Sequence, residues 1–552
     1  MGRARYVVGV DFGTLSARAV VVDAGDGTER GAAVHEYARG VLDTALPGGR
    51  SLPPSWALQD PEDYREALRR AVPAAVAAAG IDPADVVGIG TDATACTVLP
   101  CLADSTPLCE VDGLADRPHA WPKLWKHHST QPEADRITRL AEERGEPWLG
   151  RYGGRVSAEG ELAKALELLE EDHELYDRAE LLVEAADWVV WQLGGSLVRS
   201  ASTAGYKGLH QQGRYPSAEL LEAVAPGLGS WVGKVDQPVL PLGARAGSLT
   251  RQAAAWTGLP EGIAVAVGGI DAHATVPAAR GVEPGRLTLI LGTSACHMLN
   301  ADEVREVPGI SGVVEGGIVA GRWGYEAGQS GVGDVLAWFT RTGVPASYER
   351  AAAEAGESLH EHLSRLAAAQ EVGEHGLVAL DWLSGNRSVL GDHELSGAVL
   401  GLTLATRPED VYRALVEATA FGTRVIVEAF RGGGLAVDDV VVAGGLVRNP
   451  WLLQVYADVL GLPLSVIGTE HGAALGAAIH GAVAAGVHPD VPAAVEAMTT
   501  EHPVRHHPDP GRAAAYDELF GDYLALHDHF GRTVPLMHRL RARRREAHAR
   551  RG

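Results

Sequence analysis

The stretch that decides the fold is Tyr6-Val7-Val8-Gly9-Val10-Asp11-Phe12-Gly13-Thr14-Leu15-Ser16-Ala17-Arg18-Ala19-Val20-Val21-Val22. Tyr6–Asp11 is apolar and mostly β-branched, the composition of a buried strand. Phe12–Thr14 reads as a turn. Ala19–Val22 is a second apolar run, and it stops at the turn signal Asp23-Ala24-Gly25-Asp26-Gly27. Two such runs joined by a short glycine-containing turn make a β-hairpin. A chain that opens on a buried hairpin and goes on to alternate strands with helices folds as α/β, with mixed sheets.

The alternation continues outward from the hairpin. Asp60–Ala79 is an alanine-rich helix, and Val86–Thr91 is a short strand ending in polar residues. Glu161–Leu169 and Asp187–Leu193 carry apolar residues at helical spacing. Ile263–Val267 is a buried strand stopped by Gly268-Gly269. After the turn Gly281-Val282-Glu283-Pro284-Gly285, a new strand, Leu287–Leu291, leads into Gly292-Thr293-Ser294. A helix around Val411–Phe430, a strand Val440–Val442 and a helix from about Pro450 follow. The expected division is 1–282 and 283–552. Each half opens on a strand and a Gly-Thr turn (Gly13-Thr14, Gly292-Thr293), a faint sign of internal duplication.

With 552 residues the chain is long enough for two cores. A composition of 46% apolar and 22% charged residues is that of a globular protein. A net charge of −23 argues against nucleic acid as partner, because a phosphate backbone attracts basic surfaces. No apolar run of about 18 residues predicts a membrane span. The opening residues lack the pattern of a secretory leader, so a cytoplasmic location without membrane association is expected. Cys96, Cys101, Cys109 and Cys296 fit no zinc spacing and read as reduced thiols. His127-His128 and His502 with His506 and His507 lack partners at ligand spacing and read as solvated surface. The arginine-rich end (Arg539, Arg541, Arg543, Arg544, Arg545, Arg550, Arg551) reads as a solvated helix end.

Three turns could carry chemistry. In Asp11–Arg18, Gly13 lets backbone N–H groups approach an anion. Thr14 and Ser16 add donors, Arg18 adds positive charge, and Asp11 could hold a metal through water. The competing reading is a plain hairpin turn. In Gly268-Gly269-Ile270-Asp271-Ala272-His273 a carboxylate follows the end of an apolar strand, where open α/β sheets place ligands. Asp271 could take a proton from a hydroxyl during phosphoryl transfer, or simply cap a helix. Ala443-Gly444-Gly445 lies between a strand and a helix, and bare backbone there could face a nucleotide; Gly292-Thr293 has the same character. A plain βα turn is the alternative. No G-x-x-x-x-G-K-[ST] loop is present, so any ATP is held in another way.

Taken together, GVDFGTLSARA (9–19), TDATACTVLP (91–100), KLWKHH (123–128), STAGYKG (202–208), GGIDAH (268–273), LGTSACHM (291–298), VPGISGVVEGG (307–317), GYEAGQSGVGD (324–334), LDWLSGNRS (380–388), EATAFGTR (417–424) and LHDHFGR (526–532) resemble the FGGY carbohydrate kinases, from about residue 6 to about residue 540. The resemblance implies an actin-like ATPase fold of two ribonuclease-H-like domains around a cleft. The first domain (1–282) would be mainly sugar-binding and the second (283–552) mainly ATP-binding. It implies ATP-dependent phosphorylation of L-ribulose at O5, in L-arabinose catabolism, with Mg²⁺. Asp271 would be the base, and Ala95, Lys207 and Glu326 would touch the sugar. Gly13, Thr14 and Arg18 would face the phosphates beside Asp11 as the metal residue. Gly292, Thr293, Gly444, Gly445 and Asn449 would cradle ATP. The partner is then a small sugar, and assembly into a homo-oligomer is left open. Ala93, where a bulky Phe is usual, and the run Arg117–Pro122 depart from the family pattern near the sugar side. Kinases of xylulose, ribitol or glycerol remain as alternatives, as does a non-catalytic actin-like ATPase or sugar sensor.

Overall fold

The computed structural model describes residues 5–550, so Arg551 of the basic terminus lies outside the described residues. The opening hairpin forms as read, but its second strand starts earlier. Strand β1 (Tyr6–Phe12) pairs antiparallel with β2 (Ser16–Asp23), and β2 pairs with β3 (Glu29–Glu36). The extra residues at the start of β2 alternate between the two faces, which the apolar-run criterion misses.

The first sheet runs in the order β3-β2-β1-β4-β6-β5, where β4 is Val86–Ala93, β5 Arg245–Ser248 and β6 Ala264–Ala266. A short strand β7 (Gly269–Ile270) lies along the end of β4. Gly268-Gly269 therefore interrupts the strand pattern without ending it. β1, β4 and β6 are parallel, and the outer strands are antiparallel.

The second sheet repeats this plan. Its order is β10-β11-β9-β8-β12-β13-β14, from Gly312–Glu315, Trp323–Gln329, Ala295–Ala301, Gly285–Leu291, Val437–Ala443, Leu464–Val466 and Val504–His506. β8, β12 and β13 are parallel, and β9 and β11 are antiparallel. Three antiparallel strands followed by two parallel crossovers is the ribonuclease-H-like order, present twice. The Gly-Thr hint of duplication thus reflects two equivalent hairpins, β1–β2 and β8–β9.

Each sheet has its own core. Val8, Val10 and Ile89 pack with helix α1 (Pro61–Ala79) and helix α2 (Ala185–Gly194). Leu287, Leu289 and Val442 pack with helix α4 (Pro408–Gly432). A third apolar layer joins the halves: Val7, Val20 and Val22 meet Val441 and Met298 through helix α3 (Asp271–Ala278) and helix α5 (Gly472–Ala484).

The approach of α5 to the first sheet leaves no room for side chains. A Cβ added to Gly9 would lie 1.8 Å from the Ala474 carbonyl oxygen, one on Gly90 1.9 Å from that of Ala477, and one on Gly88 2.7 Å from that of Gly481. Where α3 and α5 cross, a Cβ on Gly476 would fall 1.6 Å from the Ala274 carbonyl oxygen. Glycine is required at these points because backbone meets backbone. No helix among the described residues is long and apolar enough to cross a membrane.

Candidate active site

The β1–β4 pairing brings two carboxylates side by side. Asp11 and Asp92 are register partners on parallel strands. Asp92 is fully buried, and its carboxylate oxygens have no partner beyond the neighbouring Asp11 carboxyl. Burial raises its pKa well above the ordinary value, and the charges of Asp11 and Asp271 push it the same way. Asp11 is also raised by burial, against the pull of Arg18.

Asp271 is the first residue of α3, with Ile270 in the capping position. The helix-cap reading of Asp271 is therefore not what its position supplies. Its Oδ1 accepts a hydrogen bond from the next backbone N–H, that of Ala272, at 2.7 Å. Burial lifts its carboxyl from 3.8 to about 7, helped by the negative charge of Asp11. Glu326 and Lys207 also act on it, with opposite signs.

Lys207 follows a short helix (Ala201–Tyr206) in the first half, and Glu326 lies on β11 in the second. The Lys207 ammonium donates to both Glu326 oxygens, at 2.9 and 3.1 Å. His273, one turn into α3, reaches Glu326 Oε2 at 3.1 Å through Nε2, while Nδ1 meets the Ser202 hydroxyl at 2.8 Å. This chain of partners holds the Glu326 carboxyl far below the usual carboxylate range, chiefly through Lys207, despite its burial. Ala95 is half-buried at the end of the β4 segment, and Ala93 is buried. Cys296, half-buried on β9, feels the charges of Arg387, Glu326, Asp271 and Lys207 together, which places its thiol among them. Burial raises that thiol to about 11, which leaves it protonated and inert.

A cavity of about 490 Å³ opens on the other side of Asp11, lined by Arg18, Gly444, Gly445, Arg448, Thr469 and His471 among others. Gly444 has φ 95°, and a Cβ there would lie 2.4 Å from the Leu291 carbonyl oxygen, so only glycine fits. Gly292 donates its N–H to the Ser294 carbonyl and accepts from Gly333, which seats the Gly292-Thr293 turn against the next helix. Thr14 is held from two sides: Gln59 Nε2 donates to its carbonyl at 2.9 Å, and the Trp125 indole N–H to its hydroxyl at 3.2 Å. Asn449 is committed to structure, its Oδ1 capping the helix that starts at Pro450 and its Nδ2 donating to Ser364.

Of the residues proposed from sequence, Asp11, Arg18, Gly444 and Gly445 line one cavity, and Lys207, Glu326 and Asp271 act on one another beside it. Asp92, His273, Cys296, Trp125 and Arg387 were missed. All five stand inside segments already quoted, but only strand register and the fold show what they face. One expectation is corrected. His127 is not solvated surface: it is fully buried, with Nε2 2.9 Å from Glu167 Oε2. Lys123 shares the same glutamate, so the segment 123–128 carries an internal charged cluster that hydropathy alone does not reveal.

A ribonuclease-H-like repeat, with paired carboxylates at the wall of a glycine-turn cavity, is a frame suited to a sugar kinase. The chain belongs to the FGGY family of carbohydrate kinases: the family's N-terminal domain matches residues 6–277 and its C-terminal domain residues 287–485. Among its relatives, the ribulokinase of Mycolicibacterium smegmatis is 58% identical over 552 residues, covering 100% of this chain and 98% of that one. The ribulokinase of Geobacillus thermodenitrificans is 48% identical over 96% of this chain and 95% of its own. A solved xylulose kinase from Rhodospirillum rubrum superposes with a TM-score of 0.78 at 25% identity, covering 97% of this chain and 100% of that one. A gluconate kinase from Lactobacillus acidophilus gives 0.79 at 16% identity, covering 96% and 99%, and shows the same fold.

Proposed function

We propose that this enzyme transfers the γ-phosphoryl group of ATP to O5 of L-ribulose, with Asp271 as general base. The observation that carries the reading is the position of Asp271. The charges of Asp11, Glu326 and Lys207 all reach its carboxyl, and its own charge reaches Asp92. End-to-end identity with ribulokinases supports the choice of sugar.

A sugar hydroxyl is a poor nucleophile until its proton is removed. A carboxylate that titrates near 7 suits that task, because its proton affinity is higher than that of an ordinary aspartate. Lys207, Glu326 and Ala95 would line the sugar, with His273 and Ser202 fixing the Glu326 carboxylate. A wrong epimer would leave buried polar groups unpaired, which is a strong form of rejection. Arg18, Gly13 and Thr14 would meet the phosphates, and Gly292, Thr293, Gly444 and Gly445 would offer bare backbone to the nucleotide. In this reading the first half carries the sugar and the second mainly the ATP.

Mg²⁺ fits the residues present, since Asp11 and Asp92, side by side on adjacent strands, are hard oxygen ligands once ionised. When bound, it would neutralise charge on the transferring phosphate. The test is ADP release by the purified enzyme with L-ribulose, D-ribulose, L-xylulose, D-xylulose and ribitol. The reading requires L-ribulose to give the highest kcat/KM; release without any acceptor at the same rate would sink it.

A further inference from the structure

One cation beside the Lys207–Glu326 pair has no part in the scheme above. Arg387 comes from an irregular segment of the second half, and it pairs across to the first: Nη2 donates to Glu159 Oε2 at 2.8 Å. The same nitrogen is 4.0 Å from Glu326 Oε1. Its stem lies on bare backbone, for a Cβ on Gly328 would be 3.1 Å from Arg387 Cδ and 3.3 Å from Nη1.

We propose that Arg387 is a specificity-determining residue of the sugar site, offering N–H donors to the keto end of the pentose. The inference rests on the sugar-kinase reading above. Glu326 does not need Arg387, since Lys207 and His273 already satisfy both of its oxygens. Glu159 occupies only part of the guanidinium, which has five N–H groups in a rigid fork. Among the described residues the only hydrogen bond of Arg387 is the one to Glu159. The nearest guanidinium nitrogen lies beside Glu326, and the Arg387 charge also reaches the Cys296 thiol, as do those of Asp271 and Lys207. Arg387, Glu159 and Lys207 also line one cavity of about 220 Å³, which Glu326 and Asp271 do not line.

The chemistry points to the keto end. With O5 at Asp271, the C1–C2 end of a ketopentose is the part farthest from the reacting phosphorus. A ketone oxygen accepts hydrogen bonds and cannot donate, whereas the hydroxyl of a pentitol does both. A donor-only guanidinium satisfies the ketone fully but leaves the O–H of a pentitol without an acceptor, which favours the ketose.

The experiment compares wild type with Arg387→Gln, Arg387→Lys and Glu159→Gln, measuring KM for sugar and for ATP and the ketopentose-to-ribitol ratio of kcat/KM. Arg387→Gln is expected to raise the sugar KM about tenfold or more and to lower that ratio by a similar factor, with the ATP KM within about twofold. Guanidinium ion at millimolar concentration should restore part of the loss. Arg387→Lys should move the same quantities in the same direction by less, and it serves if the glutamine variant fails to fold. Glu159→Gln, which loosens the cross-lobe pair but keeps the guanidinium, should leave the ratio near wild type. An unchanged sugar KM in the arginine variants, a parallel rise in both KM values, or an equal loss of ratio in Glu159→Gln would overturn the proposal. The measurements use whichever panel sugar serves wild type best, so a best sugar other than ribulose would refute the substrate and still leave Arg387 tested.

Discussion

Replacing Asp271 by asparagine should slow the enzyme and stabilise its fold in the same variant. In the folded chain this carboxyl titrates at about 7, against 3.8 for an ordinary aspartate. The folded state therefore holds the proton more tightly than the unfolded chain, and ionisation opposes folding as pH rises from 3.8 towards 7. At about 1.4 kcal/mol per tenfold of proton affinity, the cost approaches about 4 kcal/mol above neutral pH and about 1.5 kcal/mol at pH 5. The side chain keeps some exposure, which discounts both figures to roughly half. Asparagine has the same shape and never ionises, so the variant escapes the cost. At about 2 °C per kcal/mol for a unit of this size, Tm should rise by about 4 °C at pH 8 and by about a third of that at pH 5. Over the same comparison kcat should fall roughly 10²–10⁴-fold, as expected when a general base is lost. Wild-type kcat/KM should decline as pH falls through about 7, and the residual activity of the variant should lack that limb. Thermal unfolding of both nucleotide-free proteins at the two pH values, with steady-state kinetics, is sufficient. A Tm gap that is zero, negative or the same at pH 5 and pH 8 would refute the electrostatic reasoning, and near-full turnover would remove Asp271 as the base.

The other perturbations test separate parts of the site. Lys207→Ala leaves Glu326 buried with His273 as its hydrogen-bond partner and should raise the sugar KM at least about tenfold, with the ATP KM little changed; equal effects on both would remove Lys207 from the sugar side. Trp125→Phe deletes the donor to the Thr14 hydroxyl and should raise the ATP KM about threefold to tenfold in initial-rate assays, with sugar KM steady. Gly90→Ala forces a methyl against the Ala477 carbonyl and should cost roughly 3 kcal/mol or more, read as a lower Tm or as insoluble protein.

The fold was legible where local chemistry and tertiary position agree. The β1–β2 hairpin and the Gly-Gly turn at 444–445 stand out because glycine and β-branched residues constrain the backbone directly. The site was legible only in part. Asp11 and Asp271 were found because each follows an apolar strand. Asp92 also does, yet its neighbours Thr91 and Thr94 make the segment look like an ordinary polar strand end. It is parallel register that sets it beside Asp11. Arg387 stood in the quoted segment 380–388 without drawing a role, since its partner Glu159 belongs to the other half. His127 looked like surface because a histidine pair is usually hydrated, and its glutamate lies forty residues away.

The way Gly472–Ala484 lies on Gly9, Gly88 and Gly90 bears on how the enzyme could be divided or truncated. A fragment ending near residue 282 would keep every strand of its sheet yet lack the cover for one side, with a glycine-floored furrow left open to water. Such a piece should aggregate or stay incompletely folded until the missing residues are supplied in trans. By this expectation the division at 282/283 would not separate two independently folding pieces, because residues near the end of the chain cover the sheet at its start.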